Sequence, residues 1–212
     1  IHRGKIHAKN KGEIDMYFVE KAIAWFFFES FILTRQMKRY KEIEEHILGK
    51  LKAELPKDLY YHGLHHTKDV LRSAEMIGRD ENITEDEMIL LKTAVLYHDS
   101  GFTKVYRNHE EIGCDMAREE LPKFGFKPDE VEKVCGMIMA TKIPQKPNTK
   151  LEYIIADADL EYLGTDQFEK IGRTLYEEIK LYLNVESERQ WNIIQMNFLK
   201  NHHYFTPFCK KN

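Results

Sequence analysis

Two carboxylates, Asp157 and Asp159, stand inside the apolar run Ile154-Ile155-Ala156-Asp157-Ala158-Asp159-Leu160. A segment this apolar belongs in an interior, where an unpaired carboxylate is costly. Any fold that buries it must answer the buried acid with a buried base or a cation. Histidine is the available base. His62, His65 and His66 lie together in Tyr61-His62-Gly63-Leu64-His65-His66-Thr67. His98 extends the stripe Met88, Leu91, Val95 by three more residues, so it points inward, and Asp99 follows it directly. One shared divalent cation would satisfy all of these groups together, because imidazole and carboxylate suit zinc, iron, manganese and similar metals. Each piece alone has a simpler explanation, since a lone histidine on an apolar face is most often a hydrogen-bonded core residue. Their conjunction carries the weight: a histidine pair, then His-Asp, then Asp, each on an inward-facing helical position.

The rest of the chain reads as helix. From Val19 to about Leu51 there is no proline and only Gly49, which predicts one long helix or two broken near Thr34. Thr84-Glu85-Asp86-Glu87, Thr149-Lys150-Leu151-Glu152 and Ser187-Glu188-Arg189-Gln190 have capping-box spacing. Pro128 suits a first helical position, and Val131, Val134, Cys135, Ile138 and Met139 form the apolar stripe behind it. Helices are expected near 19–50, 64–79, 85–98, 108–121, 128–140, 149–162, 166–183 and 187–202. Before them, Ile14, Met16 and Phe18 alternate with polar residues next to Asn10-Lys11-Gly12, a hairpin signal. The expected class is all-α, a helical bundle with a short N-terminal β-hairpin and a long linker helix.

Composition excludes several classes. Charged residues make up 32% and hydrophobic ones 42%, and the formal net charge is -3. This is a globular balance with no basic stripe for nucleic acid. The longest apolar stretch, Ala22 to Leu33, is interrupted by Glu29 and falls short of the roughly 20 residues of a bilayer span. No basic segment followed by a small-residue cleavage site opens the sequence. The three cysteines, Cys114, Cys135 and Cys209, form no CxxC pair and suggest neither disulfides nor a cysteine zinc site. A cytoplasmic location is expected.

Four segments occur in the order shown by the HD superfamily of metal-dependent phosphohydrolases, which the chain resembles over about residues 38–206. They are Tyr61-His62-Gly63-Leu64-His65-His66, Tyr97-His98-Asp99-Ser100-Gly101-Phe102, His109-Glu110-Glu111-Ile112-Gly113 and Asp157-Ala158-Asp159-Leu160-Glu161-Tyr162-Leu163-Gly164. The resemblance implies His66, His98, Asp99 and Asp159 as ligands of a divalent metal (Mn, Fe, Zn, Ni, Co or Mg), with His65 and Asp157 as the alternatives at the first and last positions. It also implies attack on phosphorus by a metal-bound hydroxide, Asp99 as a catalytic ligand able to bridge two metals, and His62 as the acid that protonates the leaving oxygen. His109 is the candidate for a second-metal or phosphate contact, and Lys104, Arg107 and Lys142 are candidate substrate contacts. The chain departs from the HDxxED pattern of the members that cleave hyperphosphorylated guanosine nucleotides. It also holds Thr141 where several two-metal members have histidine, so one tight metal site is expected. The likeness is greatest to a branch described only as predicted HD phosphohydrolases.

The segment from Gly4 to Val19 resembles the last two strands of class III adenylate/guanylate cyclase domains. The expected organisation is therefore a cyclase-tail hairpin over residues 1–19, a linker helix over 20–37 and an HD phosphohydrolase domain over 38–212. The implied partner is a covalently linked upstream cyclase domain. The run Trp25-Phe26-Phe27-Phe28 with Phe31, Ile32 and Leu33 points to a homodimer through this helix. Two activities follow: hydrolysis of a small-molecule phosphate ester, that of a nucleotide and among these a cyclic nucleotide phosphodiester, or a non-catalytic metal- and nucleotide-binding module that regulates the cyclase.

Overall fold

The computed structural model describes the backbone of residues 5–8, 12–15 and 17–211, and the side chains of Thr34 and residues 36–211. The chain divides into two compact units, Ile1–Arg39 and Tyr40–Asn212. In the first, β1 (Lys5–Ala8) and β2 (Gly12–Asp15) pair antiparallel with Ile6 opposite Ile14. Helix α1 (Tyr17–Glu54) begins in this unit and ends in the second. The side chains from Trp25 to Leu33, on which the expected homodimer rests, lie outside the described residues.

The second unit is helical throughout. After α1 come α2 (Leu64–Asp80), α3 (Glu85–Tyr97), α4 (His109–Glu120), α5 (Pro128–Thr141), α6 (Lys150–Asp159), α7 (Phe168–Tyr182), α8 (Glu188–Asn201) and the short α9 (Pro207–Lys211). Turns of 3-10 helix occupy Ser100–Thr103, Leu121–Phe124 and Glu161–Gly164. Two N-termini close as their sequences predict. Glu87 and Glu152 each donate a backbone amide to the hydroxyl of Thr84 and Thr149, and their carboxylates accept the threonine amides in return. At α8 the exchange is incomplete: Ser187 accepts from Gln190, but the Gln190 side chain accepts from the Glu186 amide instead.

The core is built around α3, whose residues from Met88 to Tyr97 are buried on nearly every side. A helix apolar all round belongs in a centre, and α3 packs against both α2 and α5. Its one cation, Lys92, escapes to the edge, with its ammonium over the Tyr40 ring at 4.5 Å. From α1, Tyr40, Ile43, Ile47 and Leu51 close the core at helical spacing. Nearby, Lys50 and His46 reach the Glu120 carboxylate at 2.6 and 3.1 Å, and Tyr97 donates to it at 2.9 Å. On α5, Val131, Val134, Cys135 and Ile138 are buried as the stripe predicts, but Met139 is 37% exposed while Met137 is buried. The reason is that α5 touches α3, α4 and α6 together, so its buried face is wider than one stripe and turned away from Met139. All three cysteines are free and buried. Among the described residues no helix is long and apolar enough to cross a membrane.

Two glycines let α4 approach the end of α3. A Cβ on Gly101 would lie 1.9 Å from the carbonyl oxygen of His109, and one on Gly113 would lie 2.7 Å from that of Tyr97. Backbone cannot yield as a flexible side chain can. Gly101→Ala is expected to cost about 3 kcal/mol in urea denaturation. Gly49→Ala, where a Cβ would meet nothing within 4 Å inside α1, is expected to add about 0.5–1 kcal/mol. Equal effects of the two substitutions would contradict this account of the α3–α4 junction.

Candidate metal centre

Three elements bring the ionisable groups together. His66 projects from the first turn of α2, His98 and Asp99 follow the last turn of α3, and Asp159 closes α6. Both α3 and α6 lie against α2, which is why residues far apart in sequence meet. His66 Nε2 lies 3.0 Å from Asp159 Oδ1 and 3.5 Å from Asp99 Oδ2. His98 Nε2 lies 3.2 Å from Asp99 Oδ2 and 3.6 Å from Asp159 Oδ1. One ligand atom each from His66, His98 and Asp159 falls within 4.8 Å of the other two, a group that could hold a metal ion.

The state of His98 tests whether a cation fits. Its Nδ1 contacts the Val95 carbonyl at 2.7 Å, which can only be a donation from an N–H. In a neutral ring the proton is then spent, and the Nε2 lone pair faces carboxylate oxygens. Both His98 Nε2 and Asp99 Oδ2 are buried without a hydrogen-bond partner. A lone pair aimed at an anion is repulsive unless positive charge stands between them, so the donor set suits a divalent cation. The electrostatics agree. Burial lowers the His98 pKa, but Asp99 and Asp159 outweigh it and hold the imidazole well above its usual value. Burial raises Asp159, yet His66 and His98 hold it at about 2. Asp99, against the same burial, is held well below the usual carboxylate range by His98 and His109. The centre demands positive charge, whether as protons or as metal.

The two sequence alternatives have other roles. Asp157 is fully buried on the opposite side of α6, where it accepts from the amides of Phe205 and Thr206 at 2.9 and 2.7 Å and from the Thr206 hydroxyl at 2.6 Å. His65 is exposed and lines a second, smaller cavity of about 370 Å³, which His66 and Asp159 also border, and it makes no contact with the Asp99 or Asp159 carboxylate of the kind His66 makes.

A larger cavity, about 670 Å³, opens in front of the cluster and is lined there by His62, Asp99, His109 and Asp159. His109 stacks on Phe102 with centroids 3.8 Å apart, and His62 stacks on that ring at 4.4 Å. His109 Nε2 lies 3.5 Å from Asp99 Oδ1, so the two oxygens of Asp99 serve different imidazoles. The candidate substrate contacts separate. Arg107 lines the cavity and is exposed. Lys142 lines it too, but is ion-paired with Glu111 and donates to Asn108 at 3.3 Å. Lys104 does not line it, contrary to expectation, because its ammonium turns to Glu54, 3.5 Å away.

Sequence reasoning missed Glu178. It is fully buried on α7, with Oε1 2.5 Å from His62 Nδ1 and 3.0 Å from the Tyr106 hydroxyl. Its Oε2 accepts from the Tyr61 and His62 amides at 2.8 and 3.0 Å. Burial raises its pKa, but the hydrogen bonds from His62 and the two amides overcome this and leave it below the usual value. The available signal was its place three residues after Leu175 and next to Ile179, inside the apolar stripe of α7. Glu110 was missed likewise: it is buried at the cavity, with its carboxylate 3.6 Å from His109 Nε2.

With this geometry in place, residues 63–162 are similar to the HD domain family, a match that takes in His66, His98, Asp99 and Asp159. An uncharacterized protein from Clostridium beijerinckii is 31% identical over 100 residues. That alignment takes in 46% of this chain and 63% of the relative, so the chain spans less than two thirds of that protein's length. A crystal structure described as a predicted HD superfamily hydrolase, from an uncultured Thermotogales bacterium, superposes with a TM-score of 0.52 at 19% identity. It covers 74% of this chain and 91% of its own length, a likeness of fold. The family match begins at residue 63 and lends no support to the cyclase resemblance of residues 4–19.

Two outcomes follow from the geometry. Metal-stripped protein given manganese at about 100 times its Kd should gain roughly 2.7 kcal/mol, a rise of about 5–10 °C in melting temperature. Asp159→Asn and His98→Ala should lose that rise, and a rise retained in both would show that the ion binds elsewhere. The depressed Glu178 pKa acts on the acid side. Its stabilisation is complete above the unfolded glutamate value of about 4.3 and is lost as pH falls through the lower folded value. Glu178→Gln should therefore be less stable than wild type at pH 7, and the difference should shrink in melts taken at pH 3.

Proposed function

We propose that this protein is a metal-dependent phosphohydrolase that cleaves a phosphate ester in the cavity in front of His62 and Asp99. The observation that carries the reading is the His62–Glu178 pair beside a cation centre. A metal held only for structure needs no oriented acid next to it, whereas ester cleavage needs a proton for the leaving oxygen. This favours an enzyme over the non-catalytic module.

His66, His98, Asp99 and Asp159 would hold the ion. When bound, it would supply Lewis acidity, acidifying water and neutralising phosphoryl charge. The chain's own residues do the rest. Val95 fixes the His98 tautomer, so the Nε2 lone pair stays directed at the centre. Glu178 accepts from His62 Nδ1 and holds the ring against Phe102, leaving Nε2 as the atom that carries the proton toward the leaving group. Arg107, exposed at the cavity, is the basic side chain best placed to meet a phosphoryl oxygen. His109, opposite the second oxygen of Asp99, is the proposed phosphate or second-metal contact. A cavity of about 670 Å³ leaves room for a nucleotide, the substrate we favour, with a cyclic phosphodiester the form a linked cyclase would call for. The domain boundaries we propose are those of the sequence: a hairpin over 1–19, a linker over 20–37 and the hydrolase domain over 38–212.

The test uses 4-nitrophenyl phosphate and bis(4-nitrophenyl) phosphate with added manganese, cobalt or nickel. His66→Ala and Asp99→Ala should lower kcat/KM about 1000-fold, equivalent to roughly 4 kcal/mol of transition-state stabilisation. His62→Ala should cost about 100-fold or more on an alkyl phosphate, whose alkoxide needs a proton, but much less on the nitrophenyl esters, whose leaving group does not. Absence of turnover in wild-type protein that retains its ion would favour the regulatory module instead.

A further inference from the structure

The proposed chemistry uses one end of the cavity. The opposite wall is built by α7 and α8 and presents Leu175, Ile179, Leu183, Trp191, Ile194 and Phe198. This wall is not an outcrop of the main core. Tyr176, Ile179, Val185 and Trp191, with Leu175 against them, form a small apolar cluster of their own. The two helices meet through side chains: Tyr176 on α7 stacks on Trp191 of α8 with centroids 6.0 Å apart, and the Gln195 side-chain amide lies against Gly172. The wall also reaches the cavity mouth, where Leu183 is 38% exposed, Ile194 42%, and Ile143 on the facing rim 52%. Apolar side chains left wet around a cavity mouth mark a surface that an apolar ligand covers. The acids lining this cavity, Asp99, Glu110 and Asp159, all belong to the metal end, and Gln195 is the amide of the far wall.

We propose that the alcohol esterified to the phosphate is bulky and weakly polar, an aromatic or hydrocarbon group seated on the α7–α8 wall with its phosphoryl group at the Asp99 end. This rests on the phosphohydrolase reading and names the substrate class of the same site. A ring system with an apolar face fits, a purine base included; a bare sugar phosphate leaves the wall wet. A cavity of this size is normal for a small-molecule site, and a phosphoryl group alone fills little of it. Covering roughly 100 Å² more apolar surface corresponds to about 70-fold in kcat/KM.

The experiment compares 2-(1-naphthyl)ethyl phosphate with ethyl phosphate, two primary alkyl esters whose leaving oxygens are equally reactive. The naphthyl ester should be favoured by about 70-fold in kcat/KM. Ile194→Glu, at the wall, should bring that ratio down at least 10-fold. Ile193→Glu, on the same helix but not lining the cavity and 47% exposed, should leave the ratio as it is. Calorimetry with 2-(1-naphthyl)ethylphosphonate and ethylphosphonate on manganese-loaded protein reads the same preference without turnover. If both esters are hydrolysed alike, the apolar seat is refuted while the hydrolase stands; equal binding of the two phosphonates refutes the seat whatever the turnover. If neither ester is turned over but the naphthyl phosphonate binds preferentially, the seat stands and the hydrolase falls. An equal loss in Ile193→Glu would also overturn the assignment of the wall.

Discussion

The hydrogen bond from His98 Nδ1 to the Val95 carbonyl, 2.7 Å long, is the contact on which the centre of this molecule depends. It settles which nitrogen of the His98 ring faces the carboxylates, and leaves Nε2 as the atom that meets Asp99 and Asp159. Everything around it keeps that ring in register. The helix that presents it is buried on nearly all sides. The glycines at 101 and 113 let the following helix close over its end. The acids beside it come from different directions, Asp99 from its own chain end and Asp159 from α6. Removing any one partner would leave a buried charge without an answer, which costs more than the contact contributes when present.

Much of the centre was legible because its residues interrupt patterns. His98 sits where an apolar stripe calls for leucine, and Asp157 and Asp159 sit where no acid belongs. A histidine or aspartate on an inward face announces itself whatever the tertiary partners turn out to be. Helix starts were legible for a similar reason, since a threonine and the glutamate three residues on answer each other locally. Glu178 was harder to see because Glu177 stands beside it, and which of two adjacent acids turns inward depends on how α7 rolls against its neighbours. The same applies to Lys104: nothing local distinguishes a lysine that meets substrate from one that meets Glu54. Met139 failed for a packing reason, because a helix touched on three sides has no single face. Only the resemblance favours Asp159 over Asp157 in the sequence, because both interrupt the same apolar run and what distinguishes them is their partners, imidazoles for Asp159 and the Phe205 and Thr206 amides for Asp157.

The cavity joins two chemistries that the fold keeps apart. At one end, imidazoles and carboxylates from α2, α3, α4 and α6 are fixed by backbone carbonyls, aromatic stacking and a buried glutamate. At the other, α7 and α8 present hydrocarbon from a satellite cluster outside the main core. The imidazole and carboxylate end is rooted in the helices of the main core, and the hydrocarbon end is built on the separate cluster. Glu178 bridges the two, since it lies on α7 yet holds His62, so the placement of the His62 ring is tied to the placement of the apolar wall.

Asp157 and Asp159 are two residues apart on one helix, roughly 200° around its axis, and so face opposite ways: Asp159 toward His66 and His98, Asp157 toward residues 205 and 206. That turn of α6 works as an axle with a load on each side, and rotating it to disturb one load disturbs the other. The Phe205 and Thr206 amides, though on the far side of the helix, are thereby gauges of the centre. Their rate of exchange with heavy water would report from outside how firmly the Asp159 carboxylate is held within.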